Sequence, residues 1–239
     1  MRSLPTDRTT FACFSPLVMI ATFLFEIGAA IYVAWRYTFT AVSRIGILLL
    51  LLLATFQLAE YNVCEGSFGL QSVEWARVGF VAITFLPPLG IHLATVIAKK
   101  STRYRYLLVA VYSAAVAFAI TFLSETNGMQ GGDRCMGNYV IFEVAPATSQ
   151  LFAYYYYGLL AVGVGLSIFL ARNATQKRVR YALYWLAAGY SAFIIPTTTV
   201  NIVDPSTIAG IPSIMCGFAV ILALILVARV IPLTQQPKT

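Results

Sequence analysis

Charge is what this chain has least of. Only 10% of its 239 residues are Asp, Glu, Lys or Arg, against roughly 25% in soluble domains, while 59% are hydrophobic. So few polar groups cannot clothe a soluble core of this size, and most of the chain is expected in lipid with little left for a soluble domain. Histidine occurs once, which excludes a bis-histidine haem. The four cysteines lack the paired CxxC spacing of a zinc site. P-loop, GxSxG, HExxH and a glycine-rich dinucleotide fingerprint are all missing, so no enzymatic activity, cofactor or metal centre is expected. The last apolar segment, IAGIPSIMCGFAVILALILVA, contains no lysine for a retinal Schiff base. The formal charge is +7, but the basic residues fall one cluster per loop rather than along one face, which speaks against a nucleic-acid partner.

What the sequence does have is long apolar runs. The stretch EWARVGFVAITFLPPLGIHLATVIAKKSTRYRY, residues 74–106, passes from an acidic, Trp-bearing start to a basic burst at Lys99, Lys100, Arg103 and Arg105. At ~1.5 Å per residue its apolar part crosses a bilayer. The same reading places spans at residues 11–35, 45–64, 75–98, 106–124, 148–171, 181–203 and 208–231. The first is too long for a signal-peptide core and lacks a small-residue cleavage site, so it is expected to stay in the mature chain. The expected fold is an all-α integral membrane protein, a single domain of seven transmembrane helices.

Loop charge gives the expected orientation. Arg36, Arg44, Lys99, Lys100, Arg103, Arg105, Arg172, Lys177, Arg178, Arg180, Arg229 and Lys238 share one set of segment ends. Eight of the nine acids lie at the other set: Asp7, Glu60, Glu65, Glu74, Glu125, Asp133, Glu143 and Asp204. Basic residues collect on the cytoplasmic side, so the N-terminus is expected outside and the C-terminus inside a multi-pass cell-membrane protein. The clusters at residues 99–105 and 172–180 suit anionic lipid or an acidic protein partner.

The ninth acid, Glu26, falls in the middle of the first span. A carboxyl there should face protein or water, either handling a proton or ligand or standing as a neutral acid bonded to another helix. Thr22, Ala29, Ala30 and Val33 share its face at helical spacing. His92 repeats with Thr84, Pro88 and Thr95 along the third span, as a pH-sensitive switch group, an isolated metal ligand or a satisfied interior histidine. Pro87 and Pro88 remove two mid-span donors and predict a kink, static or hinged. On the outer side Gln57, Glu60, Tyr61 and Cys64 form one face, the sixth span ends in Pro196, Thr197, Thr198, Thr199 and Asn201, and the fifth begins with the run 154–157 of tyrosines. These groups either line an outward-facing pocket or serve as interhelical glue and an aromatic belt. The ligand-binding candidates are Glu26, Gln57, Glu60, Tyr61, His92, Thr198 and Asn201. Cys64 and Cys135, both on the outer side, are the expected disulfide pair.

The phrase FLPPLGIHLATVI followed by a basic turn resembles the proline-rich third helix of the N-terminal seven-helix sensor region of bacterial histidine kinases. The turn Lys177-Arg178-Val179-Arg180 before a span holding Ile194-Ile195-Pro196 is similar to that region too, as is a Gly- and Ala-bearing last span ending at Arg229. The resemblance implies a receptor-like sensor that binds a small ligand in an outward-facing interhelical pocket. A kinase domain normally follows, and here the chain ends shortly after Arg229, so signalling is expected to pass to a partner protein. The alternative is a small-solute transporter of three, one and three helices, in which the first and fifth spans correspond through Pro16 and Pro146 and through Arg36 and Arg172.

Overall fold

The computed structural model describes residues 16–66, 69–124, 128–129, 134–135, 140–205 and 210–238. Its helices are α1 (Pro16–Arg36), α2 (Ala41–Glu65), α3 (Ser72–Thr84), α4 (Leu86–Ile97), α5 (Arg105–Leu123), α6 (Pro146–Arg172), α7 (Lys177–Val203), α8 (Ile211–Ile225) and α9 (Ile231–Thr234). A π-helical turn, Leu226–Val230, joins α8 to α9. Two short strands, β1 (Arg134–Cys135) and β2 (Val140–Ile141), pair antiparallel between α5 and α6. Taken together, α3 with α4 and α8 with α9 complete seven helical segments long and apolar enough to cross a membrane. Positions 11–15 of the expected first span and 208–209 of the seventh lie outside the described residues.

The surface fits lipid rather than water. Leu24, Ile31, Val109, Ile120, Leu151 and Ile202 are each at least 60% exposed on helix faces that turn away from the core. Such a continuous apolar exterior is unusual for a soluble monomer. The interior is built on α2, which packs against α1, α3, α4 and α8. From it Leu49, Leu50, Leu53 and Phe56 point into the core with at most 2% exposure. By contrast α5 touches chiefly α3 and α4 and is the least enclosed segment.

Several ends differ from the sequence reading, for local reasons. The second span begins at Ala41, four residues before Ile45, because Thr40 and Ser43 form a capping box: the Thr40 amide donates to Ser43 Oγ at 2.8 Å. It closes at Gly66, whose φ of 65° is the left-handed value glycine adopts freely and whose amide bonds Asn62 O. The sixth span begins at Lys177 rather than residue 181, since its basic first turn is helical although not apolar. The seventh continues past residue 231 to Thr234. Pro232 there lacks an N–H, and the preceding π-helical turn absorbs the mismatch, with the Ile231 amide reaching back to Leu226 O.

The kink expected at Pro87 and Pro88 is a break at Phe85 between α3 and α4. Pro88 supplies no amide to the carbonyl four residues back, Thr84 O. The Tyr155 hydroxyl from α6 donates to that carbonyl at 2.8 Å. Tyr190 from α7 donates to Leu86 O at 3.4 Å. Gly90 leaves room for this second tyrosine, because a Cβ at that position overlaps Tyr190 Oη.

Cys64 and Cys135 are joined, with Cα atoms 5.7 Å apart, which ties the end of α2 to β1. Pairing of Cys135 with Val140 then positions β2, and the Val140 amide donates to Ser213 Oγ at 3.1 Å in the first turn of α8. Phe142, just after β2, sits in an aromatic cluster 5.2 Å from Phe80 and 5.9 Å from Phe56. The segment closing this end of the bundle is thereby held by a covalent bond, a hydrogen bond and an aromatic anchor.

Candidate functional site

Helical spacing puts Met19, Glu26, Ala29, Ala30 and Val33 on the buried face of α1. Small residues at 29 and 30 let α1 approach α2 closely, so Glu26 meets the Gln57 and Glu60 face of α2. Both carboxyls are enclosed, Glu26 with 0% and Glu60 with 1% exposure. Glu26 lies within electrostatic range of Glu60. The third wall is α8. The Ser213 hydroxyl, which accepts from Val140, hydrogen-bonds the Glu60 carboxyl, and Gln57 Nε2 donates to Cys216 O at 3.1 Å. The Cys216 thiol is buried within range of both carboxyls.

This cluster is short of donors. Among the described residues neither oxygen of Glu26 has a hydrogen-bond partner, and Glu60 Oε1 has none either. No basic side chain among them acts on either group. The partner expected for Glu26 on a neighbouring helix is therefore a second acid rather than a hydrogen-bond donor. Chemically the site offers acceptors and suits a positively charged guest.

A second feature lies at the same end. A cavity of about 690 Å³ opens between α3, α6, the start of α8 and residues 141–146. Phe80, Ile83, Phe142, Phe152, Tyr156 and Met215 make its apolar wall, with Glu143, Ser149 and Gln150 adding polar groups. Two of its walls are set by features already described: the disulfide-tied segment carries Phe142, and the helical break at Phe85 comes two residues after Ile83.

The remaining candidates do not converge here. His92 is half-buried between α4 and α5, with Nδ1 3.1 Å from the Tyr112 hydroxyl, and it borders an open, mostly apolar groove with Leu108 and Val116. Tyr61 is half-buried beside the core. Thr197, Thr198 and Thr199 each spend their hydroxyl on the carbonyl four residues back at 2.8 Å, and Thr198 is exposed. Asn201 is half-buried on the last turn of α7. Sequence reasoning did not single out Ser213, Val140, Phe142 or Tyr190, and it named Tyr155 only within the tyrosine run and not as the partner of the helical break. A serine and a cysteine three apart in the most apolar segment were the available signal for the α8 wall.

Compared with protein-family models, with characterised proteins and with solved structures, the chain finds no match.

Proposed function

We propose that this chain is a receptor-like membrane sensor without catalytic activity of its own, which binds a small, largely apolar ligand in the cavity beside β2. The observation that carries the reading is the cavity itself. Its volume of about 690 Å³ falls within the ~300–1,000 Å³ of small-molecule sites, and an aromatic wall with a few polar groups matches their usual lining. The loop charges put this end outside the membrane, where a disulfide persists, and the proline-rich third span resembles a sensor region. A ligand against Pro212 and Met215 bears on α8, whose far end meets α7 and, through the Arg229 guanidinium 5.5 Å over Trp185, the basic end of the bundle. That gives a path along rigid helices toward a protein partner.

The test is a ligand screen by thermal shift on the full chain in nanodiscs, repeated on Ala153→Trp, which fills the cavity from an exposed lining position. Hits should raise the melting temperature of the wild type and fail on the variant. Equal shifts on both proteins refute the site. One arrangement favours a transporter as the second reading: α2 touches α1, α3 and α4, α7 touches α6 and α8, and α5, which follows the first triplet in the chain, lies at its edge against α3 and α4. Solute flux into proteoliposomes separates the two, since a sensor binds without carrying.

A further inference from the structure

We propose that Glu26 and Glu60 form a binding site for one small hard cation, a proton or a sodium ion, enclosed in the core by α1, α2 and α8. Both acids carry unpaired acceptors. Three carboxyl oxygens, both of Glu26 and Oε1 of Glu60, have no hydrogen-bond partner among the described residues, and the two side chains are 0% and 1% exposed. An unpaired ionised carboxylate in such surroundings costs several kcal/mol, and polar groups left this way are rare in folded proteins. The two acids stand within electrostatic range yet do not hydrogen-bond each other, so direct acid-to-acid contact does not satisfy them. A shared positive guest does.

The donor set favours a hard, singly charged ion. Beside the carboxyls stands the Ser213 hydroxyl, and hydroxyl and carboxyl oxygens are hard donors, matched to hard cations. Among the described residues no three His, Cys, Asp or Glu side chains, Cys216 with this pair included, come close enough to hold one metal ion, which leaves no cage for a transition metal. The other ionisable groups packed on the pair are the Cys216 thiol of α8 and, beyond it, Tyr156 of α6 and Tyr190 of α7. Because Ser213 bonds both Glu60 and the Val140 amide, the cation site and the β2 cap are joined through one hydroxyl. The proposal does not depend on what the cavity binds.

The test uses the full wild-type chain in nanodiscs and two probes, sodium chloride against choline chloride at equal ionic strength, and pH between about 5 and about 9. Melting temperature and carbodiimide labelling of Glu26 and Glu60, located by mass spectrometry, are the readouts. If sodium is the guest, it raises the melting temperature over choline and slows labelling about tenfold at ten times its half-saturating concentration. If a proton is the guest, sodium has no effect, but the melting temperature changes with pH and that change is lost in Glu26→Gln or Glu60→Gln. Indifference of the wild type to both sodium and pH, in melting and in labelling, overturns the proposal and leaves the pair as fixed structural acids. Both wild-type readouts stand even where a variant does not fold.

Discussion

Replacing Tyr155 by Phe deletes one hydroxyl, and Pro88 determines what that costs. The Thr84 carbonyl lies in the core, its residue 0% exposed, and has no helical donor because position 88 is proline. Tyr155 supplies the missing hydrogen bond at 2.8 Å. A buried carbonyl stripped of its donor costs ~1–3 kcal/mol, and Phe keeps the ring contacts with Phe118 at 4.7 Å and Phe152 at 5.8 Å. The expected loss is therefore about 1–2 kcal/mol, against less than ~0.5 kcal/mol for Tyr154→Phe at a 71% exposed position. The decisive arm is Pro88→Ala, which returns an amide able to reach Thr84 O. In that background Tyr155→Phe should cost about 1 kcal/mol less, as two donors competing for one acceptor require. Detergent-driven unfolding in mixed micelles, followed by circular dichroism on all four proteins, measures the cycle. Equal costs of Tyr155→Phe in the two backgrounds would falsify the account of Pro88.

Three further outcomes follow. Gly90→Ala, which in an exposed helix gains up to ~1 kcal/mol, should here destabilise by ~1–3 kcal/mol because the new Cβ overlaps Tyr190 Oη; a stability equal to or above the wild type in the same unfolding assay counts against the packing. Reduction of the Cys64–Cys135 bond, which closes a 71-residue separation, removes up to ~4 kcal/mol by loop entropy and should speed exchange of the Val140 amide; unchanged protection after reduction contradicts the cap. Reversing Arg178 and Arg180 to Glu should weaken capture of an acidic protein partner at the basic end while leaving cavity ligands nearly unaffected, provided accessibility labelling shows insertion intact; full capture by a correctly inserted variant leaves lipid anchoring as the role of that loop.

The helical segments were legible because a span needs only length and apolarity, and both are properties of single stretches. Their ends were less legible where the first turn is polar, as at Thr40 with Ser43 and at Lys177, since caps and basic turns extend a helix beyond its apolar run. Pro87 and Pro88 announced a break, yet nothing local named Tyr155 and Tyr190, which come from 71 and 104 residues along the chain. The disulfide was readable because Cys64 ends the second span and Cys135 lies in the long loop on the same outer side.

The site was half legible. Spacing placed Gln57 and Glu60 on one face and Glu26 on a small-residue stripe, but their meeting depends on α1 lying against α2, a tertiary fact. The threonines of α7 misled in an instructive way. A hydroxyl in a helix donates to the carbonyl four residues back, so Thr197, Thr198 and Thr199 give their protons to their own helix, and Thr198 reaches the cavity only through its hydrogen bond with Tyr157 of the lining. A carboxylate has no proton to give and cannot use that route. Counting polar residues therefore overstates the polarity of α7 and understates that of the contact between α1 and α2. Among the buried groups left without a partner once those hydroxyls are bonded are Glu26 and Glu60, and it is their shortage of donors, more than their charge in isolation, that sets this contact apart.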